Sequence, residues 1–159
     1  MEEKVKTYTL DEAKEKMQRF CAYQERCHKE VIQKLRSMRM IPAAIDVIVV
    51  YLIENNFLNE ERFAKSFVRG KFHSKKWGRV RIVRELKLRG ITHFLIQEAL
   101  QEIEEEYEET FDEIAERKCD SITEKNVMKA RKKLADYLLY KGWESHLVYD
   151  KVAELYPFR

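Results

Sequence analysis

Residues 82–103 read IVRELKLRGITHFLIQEALQEI, and two other segments of the chain lie over this one without a gap. They are residues 31–52, VIQKLRSMRMIPAAIDVIVVYL, and residues 134–155, LADYLLYKGWESHLVYDKVAEL. Apolar residues recur at the same places in all three segments, at spacings of 51 and 52 residues; the aligned sets are Leu35, Leu86 and Leu138; Met40, Ile91 and Trp143; Ile45, Ile96 and Val148; Val49, Leu100 and Val152; and Leu52, Ile103 and Leu155. A fixed period of this length is typical of repeat proteins, in which each unit buries its apolar face against its neighbours.

The apolar steps of three and four residues inside each segment predict a pair of helices. The turn between them falls at Arg39, Gly90 and Gly142, which align. A glycine there permits the positive φ that ends a helix. Because Arg39 breaks this pattern, we expect the first turn to differ in geometry or to carry strain, and the first unit to pack differently from the other two.

The composition favours an all-α protein. Only four glycines and two prolines occur in 159 residues, and leucine, lysine, glutamate and arginine are abundant. Capping residues and glycines predict nine helices; these cover about 10–23, 24–39, 42–56, 60–72, 79–89, 93–106, 108–119, 124–141 and 144–156. They divide into three tandem three-helix repeats, 1–56, 57–106 and 107–159, and we expect an elongated, curved array.

Several classes of protein do not fit the sequence. No apolar run approaches the roughly 20 residues that cross a bilayer, and the charged N-terminus is unlike a signal peptide, so we expect a cytoplasmic protein. The odd set of Cys21, Cys27 and Cys119 indicates free thiols in a reducing compartment. The histidines lie apart, and no glycine-rich phosphate loop or catalytic motif occurs. We therefore expect a binding protein and not an enzyme, with no metal and no cofactor.

The charge is unevenly distributed although the net charge is only +3. Residues 62–90 hold eleven basic residues and one acid, Glu85, whereas residues 98–116 hold ten acids and no base. We call these the basic block and the acidic block. The basic block favours a surface for a partner of opposite charge. The alternative is that the two blocks neutralise each other across adjacent helices. The acidic block is read as a connecting helix, with a mimic of nucleic acid or an electrostatic shield as alternatives.

The candidate binding residues come from the basic block; they are Arg69, Lys71, Lys75, Lys76, Trp77, Arg79, Arg81, Arg84 and Lys87. If Ile82 and Leu86 face the core, Arg81 and Arg84 point outward and Lys87 lies on the flank. The aromatic residues of the block could stack on bases or fill pockets; they are Phe67, Phe72, His73 and Trp77. Phe63 and Phe67 lie one helical turn apart, which favours the core for both.

Residues 57–64, FLNEERFA, resemble the signature of the RecX regulatory proteins, although Asn59, Glu60 and Glu61 stand where that family often has paired aspartates. Three further stretches resemble other parts of the family pattern; they are residues 21–26, CAYQER, residues 76–91 with Lys76-Trp77-Gly78 and Arg89-Gly90-Ile91, and residues 138–148 with Lys141-Gly142-Trp143. The resemblance covers about residues 9–156 and implies three tandem three-helix repeats.

The resemblance also implies a function. RecX proteins bind RecA nucleoprotein filaments, commonly within the helical groove, and inhibit strand exchange, ATP hydrolysis and coprotease activity. They thereby restrain recombinational repair and the SOS response, and some also bind DNA. The expected partners are thus a RecA filament and, as for some members of the family, single- or double-stranded DNA, and we expect a monomer. The alternative is a stand-alone module that binds nucleic acid without sequence preference.

Overall fold

The structure is a computed structural model that describes residues 5–157. The outer ends of the first and third predicted repeats, residues 1–4, 158 and 159, lie outside the described residues. Nine α-helices and no strand occur in the described part, which confirms the predicted fold class. The helices are α1 Leu10–Tyr23, α2 His28–Ser37, α3 Pro42–Glu54, α4 Glu60–Lys75, α5 Arg79–Leu88, α6 His93–Leu100, α7 Tyr107–Ser121, α8 Val127–Tyr140 and α9 Ser145–Leu155. We call α1–α3 repeat 1, α4–α6 repeat 2 and α7–α9 repeat 3.

The largest departures from the predicted helix boundaries lie at the start of α2 and the end of α6. Helix α2 begins at His28 and not at Gln24, because the preceding residues are extended and Cys27 is buried in the core of repeat 2. Helix α6 ends at Leu100, and a 3₁₀ turn at Gln101–Ile103 follows. The tighter turn carries Ile103 into the core, while Glu104, Glu105 and Glu106 stay exposed.

The three aligned turns share one geometry, so of the two alternatives expected for the first turn a different geometry is wrong, whereas backbone strain is present. Arg39, Gly90 and Gly142 have φ of 60°, 76° and 93°. In each turn the residue that follows donates its N–H to the carbonyl five residues back; the pairs are Met40 to Leu35, Ile91 to Leu86, and Trp143 to Leu138, at 3.1, 3.1 and 3.2 Å. This bond closes the Schellman motif. The non-glycine Arg39 therefore carries left-handed strain, of roughly 1–2 kcal/mol.

The apolar core is divided unequally among the repeats. Repeat 1 has its own cluster, which runs from Ala13 to Leu58. Repeats 2 and 3 share one cluster, which runs from Phe63 to Val152 and also takes in Cys27. The first unit thus packs differently from the other two, as expected. The accessible surface of 10598 Å² exceeds the ~8,400 Å² of a compact monomer of this mass, which fits an elongated chain.

Polar contacts join repeat 1 to repeat 2. Arg62, from the FLNEERFA stretch, donates from Nε to the Glu25 carboxylate at 2.6 Å and from its terminal nitrogens to the carbonyls of Asn56 and Phe57. Lys29 Nζ donates to the Leu88 carbonyl at 2.8 Å, at the C-terminal end of α5. These contacts fix the repeats side by side without a continuous apolar interface.

Backbone contacts join repeat 2 to repeat 3. Gly78 N–H donates to the Lys141 carbonyl and Val80 N–H to the Gly142 carbonyl, both at 2.9 Å. The two chains approach so closely that a Cβ added to Gly78 would lie 2.5 Å from the Gly142 oxygen. Beside this contact the buried Trp143 ring lies 4.7 Å from the ring of Tyr107 and donates from Nε1 to the Lys76 carbonyl at 3.2 Å. Glycine at both positions therefore sets how the repeats pack.

We predict that Gly142→Ala destabilises the protein far more than Gly90→Ala. Both positions have positive φ, but an added Cβ meets nothing within 4 Å at Gly90 and lies 2.2 Å from the Arg81 Cβ at Gly142. The backbone strain alone costs about 1 kcal/mol, and overpacking raises the cost at Gly142 to about 2–4 kcal/mol. Urea unfolding of both variants checks this, and equal losses would contradict the close backbone contact.

Candidate partner-binding surface

The structure spreads the nine candidate residues over several places on repeat 2 and does not gather them on one face. Arg69 lies on the side of α4 that faces the acidic block. Trp77, Arg79 and Arg81 pack close to the boundary with repeat 3, Lys71 lies over the Phe67 and Trp77 rings, and Lys75 and Lys76 are exposed at the end of α4. Arg84 and Lys87 are exposed on the outer side of α5.

The side of α4 that faces the acidic block is partly neutralised. Arg69 NH1 lies 3.4 Å from a carboxylate oxygen of Glu102, and His73 Nε2 lies 2.7 Å from one of Glu106. Both acids belong to the acidic block. The alternative in which the two blocks neutralise each other therefore holds for this side of α4, but these are partly exposed pairs of small energetic value.

Trp77 and Arg81 form part of the packing and not of an open surface. The Trp77 indole lies 6.3 Å from the Phe67 ring, and the Arg81 guanidinium stacks 4.1 Å from the Trp77 ring and 4.9 Å from that of Tyr140. Arg81 NH1 also donates to the Tyr140 carbonyl at 3.3 Å, at the C-terminal end of α8, where a cation is favoured. The expectation that Arg81 points outward is wrong, because the close approach of repeat 3 covers it.

Phe72 corrects a second expectation about this surface. Its side chain is fully buried, and its ring stacks 6.0 Å from that of Tyr107. It therefore takes no part in stacking on bases. Phe63 is buried and Phe67 half-buried, with ring centroids 5.8 Å apart, so the prediction that both face the core is confirmed.

Arg79, Tyr107 and Glu144 form a closed polar cluster between repeats 2 and 3. The backbone N–H of Arg79 donates to the Tyr107 hydroxyl at 2.9 Å, and that hydroxyl donates to the Glu144 carboxylate. The Arg79 guanidinium lies 3.6 Å from the Tyr107 ring centroid and 3.1 Å from Glu144. Burial, with the Glu144 hydrogen bond, raises the pKa of Tyr107, so it stays a neutral donor. Arg79 is thus a structural cation.

An open groove of about 710 Å³ runs between α5 and α6 and ends beside that cluster. Its lining consists of Arg79, Val80, Val83, Arg84, Lys87, Leu88, Gln97, Leu100 and Glu144. Val80 is 50% exposed and Leu88 60% exposed, which is high for aliphatic side chains. Within residues 5–157, Arg84 and Lys87 make no ion pair. We call this feature the α5–α6 groove; it combines two free cations with an aliphatic floor.

Of the aliphatic floor and the cluster behind it, Arg79 alone was among the candidate residues. Ile82 and Leu86 face inward, so Val80 and Leu88 fall on the opposite side of α5. Apolar residues on the side of a helix that faces away from the core were the sequence feature that could have identified the floor. The Tyr107–Glu144 contact has no comparable signal, because its partners lie 37 residues apart.

The described residues offer no metal site. No group of three or more histidine, cysteine or acidic side chains in that part of the chain is placed to hold an ion. Cys21 and Cys27 are buried, and burial raises the pKa of both thiols to about 11, so both stay protonated at neutral pH. From Val5 to Pro157, none of the helices is long and apolar enough to span a membrane.

Known sequences match this chain over most of its length. The profile of the second three-helix domain of RecX matches residues 59–100, and that of the third matches residues 104–152. A regulatory protein RecX from Pseudomonas savastanoi pv. phaseolicola is 30% identical over 127 residues, which cover 80% of this chain and 81% of that protein. One from Serratia proteamaculans is 33% identical over 102 residues, 64% of this chain and 60% of that protein.

Some relatives are longer than this chain. A regulatory protein RecX from Lactobacillus gasseri is 37% identical over 87 residues, which cover 55% of this chain but 32% of that protein. The matched region thus spans less than two thirds of the Serratia and Lactobacillus proteins.

Solved structures agree with the fold. The crystal structure of RecX from Lactobacillus salivarius superimposes with a TM-score of 0.77 at 24% identity, over 92% of this chain and 96% of that one. A second crystal structure of a regulatory protein RecX gives a TM-score of 0.79 at 21% identity, over 91% of this chain and 71% of that one. At these identities the likeness shows the fold. Together with the matching profiles and the Pseudomonas relative, it means that this chain belongs to the RecX family of regulatory proteins.

Proposed function

We propose that this chain binds RecA nucleoprotein filaments and inhibits their recombinase, ATPase and coprotease activities, and so modulates DNA repair and the SOS response. Its relatives are named regulatory proteins, and RecA is the target that membership of the family implies. The observation that carries the proposal is the α5–α6 groove, where Arg84 and Lys87 stand free beside exposed Val80 and Leu88.

Electrostatics supports the cations of this groove over two other candidate residues, Arg69 and Arg79. Arg69 and Arg79 already lie against Glu102 and Glu144, so a partner would have to displace an existing contact to reach them. Within the described residues, Arg84 and Lys87 form no ion pair that a partner would have to displace. Their charges are therefore available to an acidic partner, whose association they would accelerate at low salt.

The architecture suits a large, repetitive partner. The shared core and the contact between Gly78 and Gly142 hold repeats 2 and 3 together as one unit. An elongated unit of this kind offers a long surface that can bridge neighbouring subunits of a filament. The curvature of the array stays a prediction. In this proposal the chain acts as a monomer, by binding and not as an enzyme, and needs no cofactor.

A stand-alone nucleic-acid-binding module is the second candidate. The observation in its favour is that Lys71, Lys75, Lys76, Arg84 and Lys87 have no acidic partner in the described part of the chain. Since Phe72 and Trp77 are packed inside, such binding would rest on phosphates, with a steep salt dependence and no sequence preference.

We predict that the protein inhibits the DNA-dependent ATPase of the RecA from its own organism at substoichiometric to equimolar ratios. The same preparation should bind duplex and single-stranded DNA alone only at micromolar or weaker concentrations, with an affinity that falls steeply with salt. The ATPase assay and a DNA titration over a salt series separate the two candidates. Tight DNA binding without inhibition at any ratio would favour the stand-alone module.

We predict that Arg84→Glu with Lys87→Glu lowers inhibitory potency about tenfold or more, because both free cations are reversed. The dose response of RecA ATPase inhibition measures this. Lys125→Glu with Lys129→Glu is the matched control, since it reverses the same number of charges at two exposed residues of repeat 3. An equal loss with the control would mean that net charge, and not the groove, sets potency.

We predict that Arg81→Glu lowers the free energy of unfolding by about 2 kcal/mol or more, whereas Arg84→Glu changes it by less than about 0.5 kcal/mol. The first change removes the stacking on Trp77 and Tyr140 and puts a carboxylate at the C-terminal end of α8. Urea unfolding followed by circular dichroism measures both values. Comparable stability of the two variants would contradict the packed position of Arg81.

A further inference from the structure

We infer that the α5–α6 groove binds an acidic amphipathic helix of the protein partner. Aliphatic side chains of that helix would cover Val80 and Leu88, and its Asp or Glu carboxylates would meet Arg84 and Lys87. The inference rests on the proposed function, since the partner is the recombinase. It adds the chemistry by which that partner is recognised.

The floor of the groove calls for apolar side chains. Val80 and Leu88 are half or more exposed, while Val83 and Leu100 are half-buried between them and the core. Covering aliphatic surface gains roughly 25 cal/mol for each Å² removed from water. A groove of about 710 Å³ has room for several side chains and stays open to solvent along its length.

The same floor argues against nucleic acid at this place. The groove lining contains no Phe, Tyr, Trp or His on which a base could stack. A phosphate over Val80 or Leu88 would lose hydration without gaining a hydrogen bond, which is costly. The candidate aromatics Phe72 and Trp77 are packed on the opposite, inward side of the repeat.

The shape of the groove selects a helix. With no strand among the described residues, there is no sheet edge to which an extended peptide could add. Helix α5 has ten residues, which span about 15 Å and match a partner helix of about ten residues. Arg84 and Lys87 are one turn apart, so acids three or four positions apart on that helix would reach both.

The charge within the groove is polarised. At the end near the start of α5, Glu144 is compensated by Arg79 and Tyr107. At the other end Arg84 and Lys87 carry uncompensated positive charge. The acids of the bound helix therefore lie toward the C-terminal end of α5, and its apolar side chains lie on Val80, Val83 and Leu88.

The test removes the aliphatic floor without changing charge. The double variant Val80→Ser/Leu88→Ser should inhibit the ATPase of RecA on poly(dT) about tenfold more weakly than the parent protein, with unchanged affinity for DNA alone. Val47→Ser/Val50→Ser is the matched control, since Val47 and Val50 both lie on α3 and are 48% and 50% exposed. Circular dichroism confirms that each variant is folded, as expected for exposed positions.

The outcomes separate this inference from the function on which it rests. If the parent protein inhibits RecA and the double variant inhibits equally well, the groove inference fails and the proposed function stands. If the parent protein does not inhibit at all, both fail. A loss of DNA affinity in the double variant would overturn the inference by making nucleic acid the occupant.

Cross-linking identifies the occupant directly. A photoreactive phenylalanine placed at Leu88, irradiated with purified RecA filaments on poly(dT), should yield a RecA peptide that contains aliphatic residues with Asp or Glu one turn apart. A cross-link to poly(dT), to a second copy of this chain, or to a RecA peptide without acids would overturn the inference.

Discussion

The contact between the backbones of Gly78 and Gly142 is the constraint on which the architecture of repeats 2 and 3 depends. It brings the start of α5 against the end of α8 through two hydrogen bonds of 2.9 Å and leaves no room for a side chain at either glycine. Trp143 then fills the space beside it among the rings of repeats 2 and 3. The result is one apolar core for six helices, whereas repeat 1 is joined through charged and polar groups.

This contact also decides which cations of the basic block are free. Because repeat 3 packs against repeat 2, Tyr140 lies against the half-buried Arg81, and Glu144 pairs with Arg79. The acidic block follows α6 and neutralises Arg69 on the far side of α4. Of the eleven bases, Arg84 and Lys87 are therefore the unpaired cations that border the aliphatic groove, whereas Lys71, Lys75 and Lys76, which also lack an acidic partner within residues 5–157, lie elsewhere on repeat 2. The basic block therefore does not coincide with the proposed binding surface.

The period of the apolar residues was enough to predict three repeated helix pairs and the positions of their aligned turns, because each helix pair repeats its own local pattern. The geometry of the first turn was predicted wrongly because Arg39, although not a glycine, adopts the same left-handed backbone conformation as Gly90. The packed position of Arg81 could not be predicted, since it depends on Tyr140, which is far along the chain. The groove could be predicted only in part. Its cations belong to the basic block and were candidate residues, whereas nothing in the sequence analysis distinguished Val80 and Leu88 from other apolar helix residues.

The central claim is that repeat 2 meets its partner through the α5–α6 groove and not through the whole basic block. Hydrogen–deuterium exchange of this chain, alone and with saturating RecA filaments, tests it most directly. The account predicts slower exchange over residues 79–100, with little change over residues 60–75 of α4. Protection confined to α4, or spread evenly over the basic block, would contradict it.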